Sequence, residues 1–144
     1  AIVDVDHFKH YNDTLGHVRG DDCLRKIGHA LGAATRRPAE VTARYGGEEF
    51  AIILPGSNRA DMDKFGNWIC ARIRSLGLAH PTSAVAPVVT ISAGLVARVP
   101  DARDTPTAML AAADKALYRA KENGRNRYEL ADMEPRPAPT LRLV

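Results

Sequence analysis

The apolar pattern of the chain predicts an α+β domain: a sheet of about five strands in a split βαβ arrangement, with helices packed on it. Three observations carry that expectation. Short β-branched apolar runs alternate with longer stretches whose apolar residues recur at spacings of three and four. A Gly-Gly pair divides two of the strand-like runs, the signature of a hairpin. The resulting order, β-α-α-β-β-α-β-α-β, fits within 144 residues, a length suited to a single core.

Residues 1–5 read as the end of a buried strand, and 8–15 as a short helix that stops at Gly16. Asp21 is the expected N-cap of the second helix, which carries Leu24, Ile27, Leu31 and Ala34 on one face and ends at Arg36-Arg37-Pro38. Strands 41–45 and 48–54 flank Gly46-Gly47, whose tight turn needs positive φ. A helix over 61–76 buries Met62, Phe65, Trp68 or Ile69, and Ile73. The run 88–97 is almost continuously apolar and so reads as a central strand. Thr105-Pro106 opens the last helix, with Met109, Leu110, Ala113, Leu117 and Ala120 as its stripe and Gly124 as its cap. Residues 127–130 add a final strand. The domain is expected to span 1–130. Residues 131–144, with Pro135, Pro137 and Pro139, read as a mobile tail. The chain opens in mid-strand without Met, and reads as a fragment truncated at its N-terminus.

Composition excludes several classes. Hydrophobic content of 45% and charged content of 26% are ordinary for a globular domain. No apolar run is long enough to cross a bilayer, and no signal peptide opens the chain. A cytoplasmic location and no membrane contact by this domain follow as expectations. A net charge of +3 is too mild to argue for nucleic acid, and the 6% aromatics do not interleave with a basic stripe. Cys23 and Cys70 form no CxxC and read as buried thiols. No GxxxxGK[ST] occurs, which disfavours a P-loop enzyme.

Three clusters carry chemistry. Asp4 and Asp6 share one face at a strand's carboxyl end, beside a helix start where the N–H groups near His7, Phe8 and Lys9 can face a phosphate. Taken alone, the same pair reads as helix-capping acids. Glu48 and Glu49 follow the two glycines, and adjacent acids at a hairpin mouth are costly unless a cation is near. Mg²⁺ is commonly held by one or two carboxylates plus substrate phosphates. Asp4 and Glu48 would meet that need if their strands are neighbours. Lys121 and Arg125 flank Gly124 at a helix C-terminus. They suit the helix dipole, and equally a phosphate clamp.

The blocks from Val3 to Asp13, Gly16-His17, Gly20-Asp21, Arg44-Tyr45-Gly46-Gly47-Glu48-Glu49-Phe50, Thr90-Ile91-Ser92-Ala93-Gly94, Ala113 to Lys121, and Gly124-Arg125-Asn126 together resemble the GGDEF-domain diguanylate cyclases, in the family's order over residues 1 to about 130. The resemblance implies a ferredoxin-like, nucleotide-cyclase or palm-like sheet. It implies an enzyme that joins two GTP into cyclic di-GMP and releases pyrophosphate, as a homodimer in which each subunit holds one GTP, under an upstream sensor or regulatory domain. It assigns Asp4, Glu48 and the Val5 carbonyl as ligands of Mg²⁺ (or Mn²⁺), with Glu49 as a further ligand. Glu48 also assists deprotonation of the 3′-hydroxyl. Asn12 and Asp21 read the guanine, whose adjacent N–H donors a carboxylate can accept. His7 and Phe8 join the substrate site, and Lys121 and Arg125 hold the terminal phosphates. The family's product-inhibition motif, Arg-x-x-Asp, stands here as Arg37-Pro38-Ala39-Glu40, so product inhibition is expected to be weakened or lost. The family's leading helix and Asp-x-Leu-Thr-Gly-Leu segment are missing. A GTP- or cyclic di-GMP-binding module without turnover is the main alternative, and a palm-like polymerase fragment a third reading.

Overall fold

The computed structural model describes residues 1–102 and 104–132. The predicted element order forms throughout them. Strands β1 (Ile2–Val5), β2 (Val41–Gly46), β3 (Glu49–Ile53), β4 (Ile91–Leu95) and β5 (Tyr128–Leu130) make one sheet in the order β2-β3-β1-β4-β5. The pairs β2–β3, β3–β1 and β1–β4 are antiparallel, and β5 adds to the edge parallel to β4. The middle strand is β1. The long apolar run supplies its neighbour β4, which is shorter than the sequence suggested.

The pleat decides what lies on each face. Val3, Val5, Phe50, Ile52, Ile91, Ala93 and Leu95 pack against α1 (Phe8–Leu15), α2 (His17–Gly32) and α3 (Arg59–Arg74) in the main core. Ile2 on the opposite face meets Ala113 and Leu117 of α4 (Pro106–Glu122). Buried from both sides, β1 is apolar wherever it does not carry chemistry. On the α4 face, Val41 and Ile53 pair across β2 and β3 yet stay 48% and 60% exposed.

Capping sets the helix ends. Asn58 and Asp61 form a reciprocal capping box on α3, and the Thr105 hydroxyl accepts from the Ala108 N–H ahead of Pro106. Asp21 is not a cap. Gly16 occupies the N-cap of α2, and Asp21 lies one turn inside the helix. That helix ends at Gly32, before the Arg36-Arg37-Pro38 stop. Ile69 rather than Trp68 faces the core of α3, and Leu110 lies outside the buried stripe of α4. Ala131, assigned to the tail, is buried, and its N–H donates to the Leu95 carbonyl at 2.7 Å. The remaining tail, 133–144, lies outside the described residues.

Gly94 marks the closest approach of β4 to α4. A Cβ there would run into the Ala113 carbonyl and the Leu117 backbone nitrogen, neither of which can yield without moving the helix. Gly94→Ala is expected to destabilise the domain by about 3 kcal/mol through overpacking. Denaturant unfolding measures this, and a loss below about 0.5 kcal/mol would show that α4 does not seat this closely.

Candidate active site

The hairpin differs from its sequence reading in one respect. Gly46 is the last residue of β2 and pairs with Glu49, so the turn is Gly47-Glu48 and only Gly47 has positive φ, at 39°. A register shift between Arg44 and Gly46 inserts one extra residue into β2 at this point. Glu48 thus sits in the turn itself. The Arg44 guanidinium donates from Nε to the Gly47 carbonyl at 2.8 Å and closes the turn.

Strand pairing joins this turn to β1. Asp4 stands opposite Glu49, and the Val5 N–H donates to the Glu48 carbonyl at 3.3 Å. The neighbourhood required for Asp4 and Glu48 is therefore present. Asp4 is nearly buried, and Lys121 Nζ lies 2.9 Å from its carboxylate. Burial holds the Asp4 carboxyl above its ordinary range; Lys121 opposes that shift, and the charges of Glu48 and Glu49 add to it. Lys121 is thus engaged by a carboxylate rather than standing free at the helix end.

Asp4, Val5, His7, Phe8, Glu48, Lys121 and Arg125 line one cleft of about 230 Å³, together with Lys9 and His10. Seven of the predicted site residues converge there. His7 enters α1 in the left-handed region with φ 54° and no side-chain cap, so neither Asp4 nor Asp6 caps that helix. Burial, with Arg125 nearby, holds the His7 imidazole below its ordinary range. His80, buried in a proline-bounded loop, donates from Nε2 to the His7 carbonyl at 3.2 Å. Nothing in the sequence singled His80 out, because a lone histidine in a loop has no pattern.

Asp6 does not enter the cleft. Its carboxylate, 1% exposed, accepts from Thr90 Oγ1 at 2.7 Å, Ser92 Oγ at 2.7 Å and the Asn126 N–H at 3.0 Å. Gly124, Arg125 and Asn126 are successively left-handed, with φ of 102°, 59° and 50°. For Arg125 that conformation costs roughly 1–2 kcal/mol, while asparagine adopts it more readily.

The remaining predicted residues lie apart. Asn12 packs against Gly20, where any Cβ would collide with its amide, and its Oδ1 is buried without a partner. Asp21 is exposed and lines a different depression, of about 550 Å³, with Leu24, Arg44 and Phe50 among its walls. Arg37 and Glu40 sit on the α2–β2 connection. Glu40 turns back to accept from the Arg36 and Arg37 N–H groups at 2.8 and 3.0 Å, and Arg37 Nε lies 3.6 Å from it. Those bonds hold the Glu40 carboxyl below its usual range. Cys23 and Cys70 are buried as expected, both thiols pushed up to about 11 by burial.

No group of three or more His, Cys, Asp or Glu among the described residues could hold a metal ion unaided. The donor set still fits a hard cation such as Mg²⁺. Two carboxylates and a carbonyl, with a substrate's phosphates, are its usual oxygen partners. No helix among the described residues is long and apolar enough to cross a membrane.

A palm-like sheet with paired acids where β1 meets the β2–β3 turn defines a nucleotide-cyclase type of domain. The chain belongs to the GGDEF family: the model described as "Diguanylate cyclase, GGDEF domain" matches residues 1–127. It is 38% identical over 133 residues to diguanylate cyclase DgcP of Pseudomonas aeruginosa, covering 91% of this chain and 19% of that protein. It is 39% identical over 127 residues to the response regulator PleD of Caulobacter vibrioides, covering 87% and 27%. The chain thus spans less than a third of these relatives' length. The GGDEF domain of DgcB from Caulobacter crescentus, solved with c-di-GMP, superposes with a TM-score of 0.80 at 34% identity, covering 92% of this chain and 76% of that one. The active GGEEF domain of a Vibrio cholerae diguanylate cyclase gives 0.75 at 27% identity, covering 92% and 81%.

The Asp4–Lys121 pair yields a titration test. Lys121→Met removes the charge that opposes desolvation, so the Asp4 carboxyl should titrate higher still, as followed by carboxyl ¹³C NMR. A folded-state value above the unfolded one means that the native state holds the proton more tightly. Native stability then falls as pH rises from the unfolded value of about 3.8 through the folded one, and the variant should lose stability over a wider window. An unchanged Asp4 titration would show that the ion pair does not form in solution.

Proposed function

We propose that this domain is the catalytic part of a diguanylate cyclase. It would condense two GTP into cyclic di-GMP with release of pyrophosphate, in the cytoplasm, as a homodimer governed by a regulatory domain elsewhere in the full protein. The observation that carries the reading is the convergence of Asp4, Glu48, Lys121 and Arg125 on one cleft at the β1–hairpin junction. Condensation by attack of a 3′-hydroxyl on an α-phosphorus asks a protein mainly for positioning and charge stabilisation, and those four side chains supply both.

Asp4 and Glu48, with the Val5 carbonyl and Glu49 as further candidates, would hold Mg²⁺ or Mn²⁺. When bound, that ion would neutralise charge on the phosphate oxygens. Glu48, in the turn at the cleft mouth, is the candidate to accept the 3′-hydroxyl proton. Lys121 and Arg125 would hold the outer phosphates and so stabilise the departing pyrophosphate, Arg125 by its fork and Lys121 as a point charge. His7 and Phe8 line the same cleft at the start of α1, where backbone N–H groups suit phosphate oxygens. Asp21 and Asn12 remain the candidates for the guanine edge. Asp21 is exposed on the wall of a depression of mixed polar and apolar lining, and Asn12 holds an amide oxygen without an internal partner.

The altered inhibition motif supports weakened product control. In a ligand-holding role a carboxylate must face outward. Glu40 instead turns Oε2 onto two N–H groups of its own turn, with Oε1 beside the Arg37 guanidinium.

Incubation of the full-length, dimeric protein with GTP and Mg²⁺ should give cyclic di-GMP and pyrophosphate. Glu48→Gln should lower turnover by about 10²–10⁴-fold, the range for loss of a general base. Undiminished turnover by that variant would remove Glu48 from the chemistry. Tight GTP binding by the wild type without any product would make the domain a binding module instead. Asp21→Ala should weaken GTP by about tenfold or more and ATP by less than about twofold, because only guanine loses its partner. Equal losses would remove Asp21 from base reading.

A further inference from the structure

We propose that Asp6 is a positioning residue for the phosphate clamp. Its buried carboxylate holds the left-handed 124–126 segment in the conformation that carries Arg125 into the active cleft. The inference rests on the reading above, that Arg125 engages the outer phosphates of the nucleotide.

Asp6 cannot itself touch substrate: it is 1% exposed and absent from the cleft wall. All three of its hydrogen bonds are internal, and one reaches 120 positions along the chain to the N–H next after Arg125. That N–H comes from a residue with φ of 50°, and Arg125 itself has φ of 59°. Asparagine tolerates that region, but arginine holds it only when something else in the structure requires it. Other contacts of the segment run to the end of α4 and to α3: the Arg125 N–H donates to the Ala120 carbonyl at 3.0 Å, the Gly124 N–H and Arg125 Nη1 each donate to the Lys121 carbonyl at 3.4 Å, and Arg74 Nη1 donates to Asn126 Oδ1 at 3.2 Å from an exposed position. The Asp6 bond is the one that links the segment to the residue next after β1, the strand that carries Asp4. Through it one carboxylate ties the segment that carries Arg125 to the chain just after β1, on the acid side of the cleft.

The chemistry needed is an acceptor. Oδ2 receives both Thr90 and Asn126, while Oδ1 receives only the Ser92 hydroxyl. An asparagine could keep its oxygen at the first position and donate its amide to the serine oxygen at the second. Asp6→Asn should therefore preserve the clamp, and Asp6→Ala should lose it. Removing the negative charge would by itself favour a triphosphate, so a loss on Asp6→Ala reports geometry and not charge.

The test compares the affinity of 3′-deoxy-GTP, which lacks the attacking hydroxyl, with that of GMP by calorimetry in the presence of Mg²⁺. The ratio isolates the outer phosphates. Arg125→Ala and Asp6→Ala should each lower it by about tenfold, the scale of one charge-assisted hydrogen bond. The double variant should fall no further, because both act through one contact. Asp6→Asn should stay within about threefold of the wild type. An unchanged ratio in Asp6→Ala, with a lowered one in Arg125→Ala, overturns the positioning role alone. An unchanged ratio in Arg125→Ala overturns the phosphate-clamp reading and this inference with it. If circular dichroism shows Asp6→Ala unfolded, Asn126→Pro decides, since proline removes both the N–H and the left-handed φ. It should give the same tenfold fall, and an unchanged ratio there overturns the proposal.

Discussion

A carboxylate sealed inside a protein is tolerated only when its lone pairs are answered, and Asp6 is answered three times. Its partners come from the chain before β4, from β4 itself and from the turn that follows α4. Of these, the turn that follows α4 carries Arg125 into the cleft wall. The requirement to satisfy one buried anion therefore couples elements that lie far apart in sequence. It also accounts for Thr90 and Ser92, buried hydroxyls in an otherwise apolar stretch, and adds to the local bonds that hold Arg125 left-handed.

Around that point the fold separates stability from chemistry by face. The face toward α1, α2 and α3 is a continuous apolar core. The face toward α4 is nearly apolar at Ile2 and polar one pleat further on, where Asp4 stands. Because β1 is the middle strand, a charge at Asp4 is desolvated by its neighbours on both sides. Gly94 then lets α4 lie close enough for Lys121, in that helix's last turn, to reach it. The cleft is a consequence of close packing as much as of its charged side chains.

The fold was legible because periodicity is a local property. Alternation and three-four spacing assigned every element, and the hairpin pairing followed from Gly46-Gly47. The errors were at positions where tertiary structure overrides a local rule. Asp21 has the chemistry of an N-cap, but Gly16 starts α2 a full turn earlier. A Gly-Gly pair suggests the two turn residues, yet the extra residue in β2 shifts the turn so that it contains Glu48. Of the site, the acids and the helix-terminal cations were legible as candidate groups, since charges in apolar surroundings stand out. What was not legible was their pairing. That Lys121 engages Asp4, that Asp6 turns inward while Asp4 faces the cleft, and that Glu40 folds onto its own turn all depend on side-chain placement that no spacing encodes.

The electrostatics of the cleft follow one rule. Three acids, Asp4, Glu48 and Glu49, lie within interaction range of one another, and Asp4 bears the cost of burial as well. Such a group is stable only with compensating positive charge, and within the fold Lys121 provides it. The same ammonium is a candidate ligand for the outer phosphates, so its two roles compete. Under the proposed reading, a triphosphate arriving with a divalent cation would resolve the competition, since the cation would answer the acids while the phosphates answered Lys121 and Arg125. A phosphate without a cation would draw Lys121 away and leave Asp4 unpaired. A cation without phosphate would meet an acid already neutralised. On that reading joint binding would be favoured over separate binding, as a site for a metal–nucleotide complex requires.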